Sequence, residues 1–301
     1  MQAVFVINTA LYSLKRLGVR FHSRLSDALT APGFLPSMIG CNICMRDEWY
    51  YYLYMSCYCD DLIVVHKDPY HVFDSIQGKV FTIKEISALE YFLGRNFDPI
   101  KEPMSYNNIL TWGSNTYVKL MMGKFKNTSG FEPTKQHADM PPNYKPEINI
   151  TDLCNDAEKD QYCQSNGEMQ WSVSLGRINI MYAILDLSQL RPALRKGYLV
   201  NIQHIYSDLN KYIFTSINFN TEIPVHDKFK TIDGKWGNLY DGISEDLPHS
   251  CPPPMGNPIP IYSFFDANLM DDLTTGVSQT GIIHLLNNTP KEFYYKIKFC
   301  I

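Results

Sequence analysis

Two adjacent carboxylates, Asp60 and Asp61, stand between two apolar runs. Ahead of them lies Tyr50-Tyr51-Tyr52-Leu53-Tyr54-Met55-Ser56-Cys57, and behind them Leu62-Ile63-Val64-Val65. Aromatic and β-branched side chains suit a pleated, half-buried surface, and Asp favours the tight connection between two such runs. Tyr58-Cys59-Asp60-Asp61 therefore predicts a β-hairpin with two acids at its tip. Carboxylates on rigid backbone can hold divalent ions against phosphates, the placement that metal-dependent nucleotidyl transfer requires. The plainer alternative is an ordinary acidic β-turn.

The flanking pattern supplies elements that could position such a hairpin. Residues 3–7 read as a short strand. Residues 9–30 carry Leu11, Leu14, Val19, Phe21, Leu25 and Leu29 at helical intervals, and Ala31-Pro32-Gly33 stops them. Strands are predicted over 38–46 and 50–57, with Asp47-Glu48 between them, and over 62–66 across the acidic turn. A helix opens at Asp68-Pro69 and runs over 69–80, and residues 90–97 return to strand. This order predicts an α+β domain with helices against an antiparallel sheet.

Residues 100–115 are polar and irregular, 115–125 suit one short helix, and 130–150 read as an extended linker. Residues 156–215 are helical in parts. Ile178, Ile180, Met181, Ile184 and Leu187 mark one helix, and Leu199, Ile202, Ile205, Tyr206, Leu209 and Ile213 a second, with a break at Arg191-Pro192. Residues 222–258 are loop-rich, with Cys251-Pro252-Pro253-Pro254 as a stiff spacer. Strands follow over 259–265, ending at Asp266, and over 281–286 and 292–299.

Composition narrows the classes. The chain has 301 residues, 45% hydrophobic and 19% charged, which fits a folded protein. Its 27 Lys and Arg against 31 Asp and Glu leave a formal charge of -4, so no global basic field exists to grip a long nucleic acid. Local basic patches are Lys119, Lys124 and Lys126, and Arg191, Arg195 and Lys196. Cys41-Asn42-Ile43-Cys44 has zinc-knuckle spacing, but no second Cys or His pair stands at a matching distance, and the structural reading is preferred. The eight cysteines are expected to be thiols in a reducing compartment. The first residues lack the basic segment of a signal peptide, and no run reaches membrane-spanning length. The scattered histidines form no HExxH, and no nucleophile-elbow pattern supports a hydrolase triad.

Several blocks together resemble the reverse transcriptase and ribonuclease H region of Ty1/copia-type retrotransposon polyproteins. Ala10-Leu11-Tyr12-Ser13-Leu14-Lys15-Arg16 is similar to that family's Ala-Leu-Tyr-Gly-Leu-Lys-Gln, with Phe21 at the place of a family Trp. Gly33-Phe34-Leu35-Pro36-Ser37 resembles its Gly-Phe-x-x-Ser. Tyr58-Cys59-Asp60-Asp61 matches its Tyr-Val-Asp-Asp hairpin, and Glu90-Tyr91-Phe92-Leu93-Gly94 the strand after it. Gln170-Trp171-Ser172-Val173-Ser174-Leu175-Gly176-Arg177 and Arg195-Lys196-Gly197-Tyr198-Leu199 resemble the connection before ribonuclease H. Phe265-Asp266-Ala267-Asn268 and the segment from Asp271-Asp272 to Gly281 resemble that domain's opening. The blocks occur in family order along nearly the whole chain.

The resemblance implies a partial polymerase palm over 1–105, a thumb- or connection-like helical region over 106–225, and a linker with the first strands of a ribonuclease H-like domain over 226–301. It implies Asp60, Asp61 and Asp266 as catalytic metal ligands for Mg2+, with Asp60 the more direct ligand of the hairpin pair. Tyr58 and Cys59 would lie near the primer terminus, and Lys15 and Arg16 on the nucleotide and template side. Ser13 departs from a family Gly and Arg16 from a family Gln, changing close approach and hydrogen-bond geometry there. The implied partners are an RNA template, a DNA primer and an RNA–DNA hybrid, with no membrane. The implied location is intracellular, cytoplasmic or nuclear.

The family's other catalytic Asp lies upstream of the Ala-Leu-Tyr block, and none of the nine residues before Ala10 is acidic. Ribonuclease H acids beyond the opening strands would fall past Ile301. The expectation is therefore a remnant of an RNA-directed DNA polymerase with a truncated ribonuclease H, inactive as this chain. The alternatives are a noncatalytic nucleic-acid-binding module and a vestigial product without selected function.

Overall fold

The computed structural model describes residues 17–38, 40–58, 61–77, 83, 85–100, 109–190, 193–219, 251–268 and 274–298. The chain is α+β, built from antiparallel sheets and packed helices, and agrees with the sequence at that level. It divides into two compact units, one holding Met1–Ala88 with Lys230–Pro258, the other Leu89–Phe229 with Ile259–Ile301. The predicted strand at 3–7, the helix break at Arg191-Pro192 and most of the loop-rich 222–258 lie outside the described residues.

In the first unit, helix α1 (Leu17–Thr30) presents Phe21, Leu25, Ala28 and Leu29 on one face. It stops where Gly33 and Phe34 donate their backbone N–H groups to the carbonyls of Thr30 and Leu29. Four strands follow in the order β1 (Leu35–Ser37), β2 (Gly40–Asp47), β3 (Tyr52–Tyr58) and β4 (Asp61–Val65), all antiparallel. Helix α2 (Pro69–Ile76) has Pro at its first position, and the Asp68 side chain accepts from His71 N at 3.2 Å. Leu53, Met55 and Cys57 alternate inward along β3 and meet Leu25, Leu29, Phe34, Val72 and Ile76 in one core. Helix α2 ends at Ile76, four residues short of the expected limit at 80, where Gln77 turns to extended backbone.

The second unit opens with a difference from the sequence. Residues 90–97 do not form one strand but a tight hairpin, β5 (Tyr91–Phe92) and β6 (Arg95–Ile100). Leu93 and Gly94 turn it at φ +50° and +84°, the doubly positive geometry that matches the twist of paired strands. Strands β7 (Ile109–Gly113) and β8 (Ser216–Phe219) extend this sheet in the order β5-β6-β7-β8. Both were missed in the sequence, because each is short and pairs across a long separation.

Helix α3 (Asn115–Ser129) runs one turn past its predicted end and closes on Gly130, at φ +67°. Helix α4 (Asp156–Ser174) begins in a capping box: Asn155 Oδ1 accepts from Glu158 N at 2.9 Å, and Glu158 Oε2 from Asn155 N at 2.8 Å. Helices α5 (Met181–Gln189) and α6 (Lys196–Lys211) complete the bundle, α5 preceded by a 3-10 turn at Ile178–Ile180. Val118, Met121, Phe125, Tyr162, Met169, Ile184, Leu187, Ile202, Ile205, Tyr206 and Leu209 form its buried core. The Phe125 and Tyr206 rings stack there at 3.8 Å. Last comes an antiparallel meander of β9 (Ile261–Asn268), β10 (Ser278–Leu286) and β11 (Thr289–Lys298).

Candidate functional site

The acidic hairpin forms as expected. Strands β3 and β4 pair from Tyr54 with Val65 to Tyr58 with Asp61, leaving Cys59-Asp60 as a two-residue connection. Cys59 and Asp60 lie outside the described residues, as do Lys15 and Arg16. Asp61 opens β4 and is exposed, and Tyr58 opposite it is 49% exposed. Directly opposed residues share a face. The outward face thus carries Ile43, Met45 and Asp47 on β2, Tyr52, Tyr54, Ser56 and Tyr58 on β3, and Asp61, Ile63 and Val65 on β4. Helices cover only the opposite, core face of this sheet among the described residues. One contact reaches the outward side: Tyr52 Oη donates to the Pro253 carbonyl at 2.8 Å.

Beneath this surface, Cys57 and Cys44 meet on neighbouring strands. Burial, then Cys44, which hydrogen-bonds to it, push the Cys57 thiol up to about 12, so it stays protonated and is no nucleophile at neutral pH. Cys44 therefore serves the core and is buried. The side chain of Cys41, its partner in the CxxC spacing, lies outside the described residues.

Among the described residues, no group of three His, Cys, Asp or Glu side chains stands close enough to share a metal ion. Mg2+ gives up water reluctantly and is held by one or two carboxylates together with substrate phosphates. Asp61 is the one described acid at the tip of the hairpin, and it is exposed.

Asp266 belongs to the second unit, inside β9 rather than at its end. It is exposed and pairs with Gly281. Its Oδ1 accepts from the next backbone N–H, that of Ala267, at 3.0 Å. It lines an open groove of about 400 Å³ with Tyr182, Phe264, Gln279, Gly281 and Phe293 among its walls. Asp271 and Asp272 lie outside the described residues.

Several of the basic residues proposed as patches have local partners, the lysines while staying largely exposed. Lys126 pairs with Glu132, Lys124 Nζ lies 3.7 Å from Glu168, and Lys119 sits 4.9 Å over the Phe214 ring. Arg195 donates to the Thr151 carbonyl at 2.6 Å.

The sequence did not reveal a buried polar cluster in the second unit. Arg177 is 1% exposed and donates to the Tyr212 carbonyl, and Asp208 on α6 is 3% exposed. Burial pushes Arg177 down to about 10, opposed by the charge of Asp208. Burial, then Asp139, raise the Asp208 carboxyl, opposed by Arg177 and Lys211. Burial lowers His204, one turn before Asp208, while Asp139 opposes that shift. Arg177 was visible only as the last residue of a connection block, and burial is a property no single position announces. This cluster has the character of structural charge, closed off from solvent rather than presented to it.

No protein family, curated protein or solved structure shows significant similarity to the chain.

Proposed function

We propose that this chain derives from a Ty1/copia-type reverse transcriptase and ribonuclease H region and is a noncatalytic remnant of that RNA-directed DNA polymerase. In this reading the first unit corresponds to part of a palm, α3–α6 to the helical connection, and β9–β11 to the opening strands of a ribonuclease H-like domain. One observation carries it. A Tyr-x-Asp-Asp sequence sits at the two-residue connection of an antiparallel hairpin whose sheet is backed by helices on its core face. A polymerase palm needs that arrangement, because the acids must face an open cleft while the strands behind them stay rigid. In the family, Mg2+ held by residues at the places of Asp60 and Asp61 would polarise phosphate oxygens.

The test is primer extension by the purified chain on an RNA template with a DNA primer, in Mg2+ and separately in Mn2+. No extension is expected. Template-dependent incorporation that disappears in Asp60→Asn would overturn the noncatalytic reading.

A second reading, a noncatalytic nucleic-acid-binding module, is favoured by the exposed Tyr54 and Tyr58 rings on the outward sheet face, since bases of any sequence can stack on such rings. The charge of -4 argues for weak, salt-sensitive binding. Retention of an RNA–DNA hybrid at low salt, lost in the double variant Tyr54→Ala, Tyr58→Ala, would support it.

A further inference from the structure

The outward tyrosines of β3 already hold a stretch of this chain. Residues 251–255 form neither helix nor strand and carry Cys251-Pro252-Pro253-Pro254. The Pro253 carbonyl accepts from Tyr52 Oη at 2.8 Å. Both partners belong to the first unit, so the contact lies within it. Burial, then Asp47, Tyr54 and Cys251, raise the Tyr52 hydroxyl, so all three stand near it. Residues 251–254 remain exposed, which makes this a light surface contact that another segment can replace.

Proline-rich backbone has the chemistry to fit such a face. A polyproline II helix makes no internal hydrogen bonds, so its carbonyls are free to accept, and it is stiff before it binds. It advances about 3.1 Å per residue, against about 3.4 Å for an antiparallel strand, so alternate residues on the two recur at nearly the same interval. Tyr52 and Tyr54 stand at that interval on one face, their ring centroids 6.5 Å apart and edge to face. Tyrosine rings offer flat apolar surface to pyrrolidine rings while their hydroxyls donate to carbonyls, the mode by which aromatic surfaces take extended proline segments. The turn just before Tyr52 adds Trp49, 89% exposed, and Tyr50, 85% exposed. Trp49 sits at φ +73°, a region bulky residues seldom enter, and Asp47 Oδ1 accepts its N–H at 2.7 Å. Backbone strain of this kind clusters at ligand clamps. Charge decides the class of partner. Among its described residues, the outward face of β2–β4 carries Asp47 and Asp61 and no Lys or Arg, so a phosphate backbone would meet only negative charge there. Asp47 is exposed directly opposite Tyr52 and favours a cation beside the prolines. Residues 251–258 contain no Lys or Arg to supply one.

We propose that the face formed by Tyr52 and Tyr54 is a docking surface for a proline-rich peptide with a basic residue beside its prolines, and that residues 251–254 occupy it in cis. The tethered segment competes with a peptide in trans and lowers its apparent affinity by the fraction of time it fills the face. The surface uses neither Asp60 nor a metal and is independent of the polymerase-derived reading.

The experiment is fluorescence anisotropy on the full chain with three labelled peptides: an oligoproline ending in two arginines, the same oligoproline ending in two glutamates, and a glycine–serine peptide ending in two arginines. An oligothymidylate is titrated beside them. The proline–arginine peptide is expected to bind at least about fivefold tighter than either other peptide, the size of one net hydrogen bond. The triple variant Pro252→Gly, Pro253→Gly, Pro254→Gly should empty the face and tighten that peptide by about threefold or more. In that background Tyr52→Phe keeps the ring, loses the hydroxyl, and should weaken binding about fivefold. Asp47→Asn keeps the oxygen that accepts from Trp49 and should erase the preference for arginine over glutamate. No saturable binding of any proline peptide by the folded triple variant at millimolar concentration, equal binding of the three peptides, an unchanged affinity in folded Tyr52→Phe, or tighter binding of the oligothymidylate than of the proline–arginine peptide would overturn the proposal.

Discussion

The two units bury their side chains in opposite styles. In the first, the sheet is covered on its core face, and nine buried residues, all apolar or Cys, make its cluster. Asp61 and most of the tyrosines of the hairpin face outward. In the second, the bundle closes around itself and takes polar groups inside, with Asn166, Arg177, Ser207 and Asp208 all nearly inaccessible. The difference separates charge that can meet a ligand from charge that holds a fold. Asp61 is exposed at the hairpin, whereas Asp208 stands near Arg177 and Lys211 and is nearly inaccessible. Large electrostatic shifts fall on enclosed groups, Cys57 and Arg177 among them.

Segment-resolved hydrogen exchange and chemical denaturation can break or sharpen that contrast. The largest effect is expected from Phe125→Ala, which removes one ring of the stack with Tyr206 and should destabilise the bundle by roughly 3–5 kcal/mol. Faster exchange should spread through α3–α6 and leave β1–β4 unchanged; a change in both would show that the units do not fold separately.

Arg177→Met should cost about 3 kcal/mol at neutral pH, because it removes the first of the two cations, Arg177 and Lys211, that offset the buried Asp208 carboxylate. The sign with pH follows from the direction of the Asp208 shift. A carboxyl raised in the folded state contributes stability below its unfolded pKa and loses it as pH rises through the folded value. Removing Arg177 raises that carboxyl further, so the deficit of the variant should be small near pH 4 and grow toward pH 7. A deficit that shrinks with rising pH would contradict the pairing.

Met55→Ala is expected to cost about 2 kcal/mol, at the lower end for a fully buried side chain, because a sheet covered on one face can relax around the cavity. Exchange should quicken in β2–β4 alone. Asp61→Asn, in water at the hairpin, should change stability by less than about 0.5 kcal/mol. A larger loss would mean that Asp61 supports the fold and is not held in reserve for a ligand.

Parts of this architecture were legible residue by residue. Alternation from Tyr52 to Tyr58 and the acids after it announced the hairpin, because a strand with one buried face must repeat every two residues. Helix α6 was readable from Ile202, Ile205, Tyr206 and Leu209, which recur on one side of a 3.6-residue turn. Helix α4 offered no such pattern, since its buried face includes Ser165, Asn166 and Ser172, and Ser188 supplies the donor to Asn166 Oδ1 at 2.9 Å. The turn at Leu93-Gly94 was hidden because a leucine at positive φ runs against its local preference, and neighbouring strands impose it.

By itself the sequence determined the acidic hairpin, helix α6 and the adjacency of Asp60 and Asp61 in the chain, because hydrophobic period and turn chemistry are local. Only the tertiary structure decided the rest. It put Asp266 inside a strand opposite Gly281, set Lys124 and Lys126 beside acidic neighbours, and sealed Arg177 and Asp208 away from water. Those outcomes depend on which strands register and which faces pack, and such long-range choices are fixed by the whole chain at once rather than by any segment of it.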